Sequence, residues 1–258
     1  MTTSTPGSSR GDVRNVMIGL FGVAAVAWIY LFAGTADQMP MSGGGSMPMQ
    51  PAWTLVYAAT VLAMWATMMV GMMLPVGAPA IVRAVRRANS AQQGLGGLWT
   101  GLVFAAAYLS VWLGFGVAAT LLQWGLDSAD LLSENMAVRS RLIASLLVVA
   151  VGLYQFSSLK LGLLRRCRSS DERFPDNAGR SAVSVWKLGL AHGASCLGCC
   201  WALMLLPFAG GLMNPFWMAA AMLLALAERI FPEGDRIAKL SGAGLLILGG
   251  LALAVALR

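Results

Sequence analysis

Residues 53–76 read WTLVYAATVLAMWATMMVGMMLPV, a stretch without one charged side chain. A helix needs about 20 mostly apolar residues to cross the hydrocarbon core of a bilayer, and this stretch has that length and composition. The same test picks out seven runs, at roughly 15–35, 53–76, 99–123, 140–163, 187–208, 212–230 and 238–257, which together cover over half the chain. The fifth and sixth are separated only by Gly210-Gly211, with Asn214-Pro215 close behind, so the pair can also be counted as one bent hairpin. The expected fold is all-α and polytopic, a bundle of about seven transmembrane helices.

Composition excludes the alternatives. Of 258 residues, 58% are hydrophobic and 11% charged, with a mean hydropathy of +0.71, against roughly 45–50% apolar and about 25% charged in soluble domains. That rules out a soluble enzyme. The 30 Gly and 10 Pro show no period, and polarity is too low for disorder. A net charge of +7 invites a nucleic-acid reading, but that requires a basic face on a soluble module. The cations instead report topology, because loops on the cytoplasmic side retain Lys and Arg. Arg10 and Arg14 lie in the N-terminal tail, Arg83, Arg86 and Arg87 in the second loop, and Lys160, Arg165, Arg166, Arg168, Arg173, Arg180 and Lys187 in the fourth. Arg229, Arg236 and Lys239 lie in the sixth, so fifteen of the eighteen cations fall on one side. Arg139, Arg141 and Arg258 fall on the other. The expected orientation is N-terminus cytoplasmic and C-terminus outside, in the inner membrane of a bacterium. Trp53, Trp99, Trp124 and Trp186 stand at the proposed span ends, where an indole prefers the interface.

Residues 1–14 read as a disordered cytoplasmic tail and 15–258 as a single transmembrane domain, with a Met-rich outer loop at 36–51 and a basic cytoplasmic loop at 164–186. The first run is read as a retained helix, because its apolar length exceeds a signal-peptide core and Gly34-Thr35-Ala36 is a poor cleavage site.

Three sulfur-bearing segments carry the candidate chemistry. The outer loop contains Met39-Pro40-Met41 and Met47-Pro48-Met49 around a Gly/Ser hinge. Thioethers are soft, neutral ligands that suit Cu(I), so Met39, Met41, Met47 and Met49 form a candidate entry site. An ordinary flexible loop is the alternative. On the second run, Met64, Met68 and Met72 stack on one helical face, and Met69 and Met73 on the neighbouring one. Met also fills irregular gaps between helices, so packing is an equal reading. The fifth run contains His192-Gly193-Ala194-Ser195-Cys196-Leu197-Gly198-Cys199-Cys200-Trp201, which holds the single His of the chain and three of its four Cys. His192, Cys196 and Cys200 share a face at i, i+4 and i+8, with Cys199 beside them. Metal binding is preferred there to helix packing. Cys196-x-x-Cys199 is also a thiol-redox spacing.

Two further groups stand apart. Glu228 near the end of the sixth run is either an intramembrane functional acid or half of an ordinary Glu/Arg helix end with Arg229. Cys167 sits between Arg166 and Arg168, which favour its thiolate and a role in handing on a soft metal, against the alternative of a plain exposed thiol.

Several of these stretches together resemble a bacterial family of predicted metal-binding integral membrane proteins. They are Met64-Trp65 through Met72-Met73-Leu74-Pro75 and Pro79, Gly152-Leu153-Tyr154-Gln155 with Leu159-Lys160 and Cys167-Arg168, and Gly189 to Trp201 with Met204. Gly210-Gly211-Leu212-Met213-Asn214, Trp217 and Glu228-Arg229 complete the match. The resemblance covers about residues 53–230, and its most specific element is the Cys-x-Gly-Cys-Cys-Trp run. That family often has Lys after the acid, where this chain has Arg229. A bound metal is what the resemblance implies.

The expected function is Cu(I) capture, with transport or delivery to a copper enzyme, through Met64, Met68, Met72, His192, Cys196, Cys199 and Cys200. Met69, Met73, Glu228 and Cys167 are accessory, and another soft or borderline metal is the alternative to copper. The alternatives are a metal-containing membrane enzyme, a subunit of a membrane oxygenase, a thiol-disulfide oxidoreductase, or a structural partner of another membrane subunit.

Overall fold

The computed structural model describes residues 6–36, 53–91, 96–133, 136–168, 181–212 and 214–258, all of it helix and connection apart from a single bridge between Leu132 and Val138. The four Met of the proposed entry site, Met39, Met41, Met47 and Met49, lie outside the described residues. The elements are α1 (Pro6–Ala36), α2 (Leu55–Ala91), α3 (Gly97–Ser128), α4 (Arg141–Gln155), α5 (Ser158–Arg168), α6 (Ala182–Cys200), α7 (Leu206–Gly210), α8 (Pro215–Ile230) and α9 (Gly234–Ala256). A 3-10 turn, Leu203–Leu205, joins α6 to α7.

Four helical stretches are long and apolar enough to cross a membrane: Gly11–Ala33, Leu55–Ser90, Gly97–Ser128 and Gly234–Ala256. Counting each bent pair, α4 with α5 and α6 with α7, as one span raises the number to six. α8 has only 16 residues, short of the length that spans a bilayer unaided. The protein is therefore an all-α integral membrane protein with four to six candidate spans among the described residues. Trp99, Trp124 and Trp186 are exposed near helix ends, while Trp53 donates its indole N–H to Asp127 at the far end of α3.

Local chemistry explains three of the helix starts. Ser140, Ser181 and Asn214 cap α4, α6 and α8 by accepting from the backbone N–H of Ile143, Val183 and Phe216, which satisfies donors that a helix start leaves open. Pro215 opens α8, where its missing N–H costs nothing. Four features depart from the sequence reading. α1 begins at Pro6 and takes in part of the segment read as a tail. α2 does not stop at Pro75 but continues through Pro79 to Ala91, since membrane helices tolerate proline where neighbouring groups satisfy the freed carbonyls. The fourth run breaks at Phe156-Ser157 with a 60° bend, and the fifth bends by 64° after Cys200.

Helices α2, α3 and α6 pack side by side, with α1 against α2 and α9 along α4. Small residues set the closest approach. A Cβ on Gly189 would stand 2.7 Å from the Ala107 Cβ and from the Phe104 carbonyl oxygen, and one on Gly193 2.9 Å from the Val111 Cγ2 and 3.2 Å from the Tyr108 carbonyl oxygen. Glycine at these two positions lets α6 lie directly on α3, as at other membrane-helix contacts. Gly189→Val is expected to destabilise the bundle by about 1–3 kcal/mol through overpacking, read as a lower unfolding temperature in detergent micelles. An unchanged transition would contradict the tight α3–α6 seam.

Candidate metal centre

The seam between α3 and α6 brings the sulfur-bearing face of α6 inward. Cys196, Cys199 and Cys200 are fully buried and His192 is 8% exposed. The three Cys Sγ atoms lie within 4.8 Å of one another, the only such group of metal-ligating His, Cys, Asp or Glu atoms among the described residues. Cys199 Sγ is 3.3 Å from Cys200 Sγ and donates to the Cys196 carbonyl at 3.2 Å. All four cysteines are free thiols.

Around this triad the fold places groups from four other helices. On α3, the buried Tyr108 hydroxyl donates to the Met73 carbonyl at 3.1 Å and lies 3.2 Å from Cys196 Sγ. It ties the Met-bearing α2 to the Cys-bearing α6. Met68, Met69, Met72 and Met73 are all buried, Met64 is half-buried against them, and they share one core with the four cysteines. Both methionine stripes of α2 therefore face into the bundle. From α8, Arg229 sends Nη1 to Cys196 Sγ at 3.1 Å and Nη2 to His192 Nε2 at 2.7 Å. From α5, Cys167 Sγ comes within 4.0 Å of Cys199 Sγ. His192 also stacks loosely against Phe104 and Tyr108.

Buried thiols, thioethers and one imidazole form a soft donor set, in a dry site that disfavours hard, strongly hydrated ions. A family model described as PpoB2, copper chaperone, matches residues 62–252, a stretch that contains every one of these groups. The chain belongs to the PpoB2 copper chaperone family. No curated protein and no solved structure matches it. The PpoB2 assignment gives the implied metal its identity as copper, and the donor set agrees with it: a triad of cysteines with methionines nearby suits Cu(I). For a copper chaperone the ion is cargo, and the Cys196/Cys199/Cys200 triad is a group that could hold it.

Four readings of single residues change in this PpoB2 chaperone. Cys167 is neither exposed nor in a loop, being 1% exposed and turned toward Cys199. Its place follows from α5, on which Lys160, Leu164 and Cys167 recur at i, i+4 and i+7 and form the buried face. Lys160 is no loop cation either. It is fully buried and bonded to Glu228 Oε2 at 2.8 Å and Oε1 at 3.0 Å. Glu228, also fully buried, thus faces Lys160 and the Gln155 amide and stands outside the sulfur cluster. Arg229, counted with the loop cations, belongs to the site itself.

Sequence reasoning gave Tyr108 no role, and it named Gln155, Lys160 and Arg229 only within the resemblance or as loop cations. One signal was available: Lys160 lies inside the fourth apolar run and Glu228 inside the sixth, and two opposite charges within spans call for each other. Nothing in the spacing of residues points to Tyr108.

Proposed function

We propose that this copper chaperone carries Cu(I) through the membrane-embedded sulfur cluster and passes it to a copper enzyme under assembly. Met39, Met41, Met47 and Met49 of the outer loop collect the ion. Met64, Met68 and Met72 of α2 receive it, with Met69 and Met73 beside them. Cys196, Cys199 and Cys200 hold it, and Cys167 extends the thiol cluster toward the basic end of α5. Seven crossings, with α8 as a short one, and a cytoplasmic N-terminus agree with the Arg83, Arg86, Arg87, Arg165, Arg166 and Arg168 charges, in the inner membrane of a bacterium. Lys160 and Arg229 no longer count toward that orientation.

The observation that carries this reading is the convergence of three buried Sγ atoms within 4.8 Å beside buried methionines. Thiolate supplies affinity, and thioether, being neutral and weaker, supplies exchange. An apolar shell keeps water from competing and keeps Cu(I) from oxidation. The test is metal analysis of the full chain, purified without oxygen and loaded with Cu(I). About one copper per chain is expected in the wild type, and almost none in a variant with Ser at 196, 199 and 200. A wild-type protein without stoichiometric copper, or equal copper in the variant, overturns the reading.

A further inference from the structure

The cluster of thiols is joined by a permanent cation, and that cation constrains what the cluster can bind. Arg229 stays protonated at any accessible pH and only donates hydrogen bonds. At 2.7 Å from His192 Nε2, it therefore uses the lone pair of that nitrogen. A neutral imidazole that accepts at Nε2 carries its proton on Nδ1, and neither nitrogen then has a lone pair to give a metal. The same guanidinium lies 3.1 Å from Cys196 Sγ. Its sequence neighbour Glu228 offers it no countercharge, because that carboxylate is turned to Lys160 at 2.8 Å and to Gln155. Arg229 is half-buried, with both Nη atoms turned inward to Cys196 and His192; a charge facing an apolar interior needs a local match, and the groups beside it that most readily carry negative charge are the cysteine sulfurs.

We propose that Arg229 sets the charge of the copper centre: its guanidinium is the countercharge that lets two thiolates hold one Cu(I), and His192 positions that guanidinium instead of binding the ion. One Cu(I) with two thiolates carries a single negative charge, which Arg229 cancels. A third thiolate would leave one negative charge unmatched, and a single thiolate would leave two cations sharing one anion. The third cysteine thus remains a neutral thiol while the other two bind, and it is the free sulfur to which the ion can move during hand-over. This rests on the copper-holding reading above, and it assigns His192 a positioning role in place of the ligand role expected from its helical spacing.

The test uses the full chain in detergent micelles, titrated anaerobically with Cu(I) against a chromophoric Cu(I) chelator, together with X-ray absorption of the copper-loaded wild type. Arg229→Gln is expected to weaken Cu(I) binding about 10–100-fold, in the range for loss of an outer-shell partner. Arg229→Lys, which keeps the charge, recovers most of the affinity. The absorption spectrum of the wild type is expected to show sulfur neighbours without imidazole scattering. Imidazole scattering, or Arg229→Gln binding as tightly as wild type, overturns the inference while leaving the copper site intact. A wild type that takes up no copper overturns the underlying reading instead. Should Arg229→Gln not fold, the wild-type spectrum and the Arg229→Lys affinity still decide.

Discussion

Lys160→Met is expected to destabilise the folded bundle by about 3–5 kcal/mol, the usual cost of removing one partner from a buried ion pair. Lys160 and Glu228 are both fully buried. The ammonium reaches Glu228 Oε2 at 2.8 Å and also donates to the Gln155 carbonyl oxygen. The Gln155 amide in turn donates to Glu228 Oε1 and to Ser241 Oγ, each at 3.1 Å. One network thus ties α4, α5, α8 and α9 together just where α4 breaks into α5. Without the ammonium, Glu228 is an uncompensated carboxylate in an apolar interior. The double variant Lys160→Met/Glu228→Leu removes both charges and is expected to regain most of the loss, because apolar groups of similar volume replace a buried pair at little cost. Thermal unfolding in micelles, followed by circular dichroism, distinguishes the cases. A double variant no more stable than the single one would show that the charges do not depend on each other.

Cys196→Ser is expected to reduce Cu(I) affinity by more than the roughly 10–100-fold that losing an outer-shell partner costs, and Cys167→Ser by much less. The geometry ranks them. Cys196 belongs to the compact triad and is the sulfur that both Tyr108 and Arg229 address. Cys167 lies outside that triad, its Sγ 4.0 Å from Cys199 Sγ. Serine is nearly isosteric but a hard, poor donor for Cu(I), so the folded bundle should survive both changes. Chelator competition on the two single variants reads the difference. Equal losses would mean that Cys167 is a full ligand of the centre, and no loss in Cys196→Ser would remove the triad from the copper site.

The match between the resemblance and the structure is informative at particular residues. Gln155 and Lys160 of the Gly152–Lys160 stretch build the network around Glu228. Glu228 and Arg229 are adjacent in the chain yet do different work, since one helical step of about 100° turns them to different neighbours. The acid faces Lys160 and the guanidinium faces the thiols. A lysine after the acid, as is frequent in that family, would keep the charge that we assign to this position.

Helical class, membrane residence and the His192/Cys196/Cys200 face were legible in the residues alone, because each follows from local rules. Apolar length decides whether a segment can cross a bilayer, and a 3.6-residue period decides which side chains share a face. The soft-metal character of Met and Cys was equally open to reading, since ligand chemistry belongs to the side chain and not to the fold. What the chain order could not convey is which faces meet. Cys167 lies 32 positions from Cys199, and Arg229 lies 33 from Cys196. Both arrive through the bend after Gln155 and the close glycine seam of α6 on α3, which are properties of packed backbones. The same packing moved Lys160 to the interior, set the half-buried Arg229 against the thiols and turned the lone-pair nitrogen of His192 toward a guanidinium. Periodicity orders side chains within one helix, but charge pairing and the completion of a site depend on distances between helices, and those exist only once the bundle has formed.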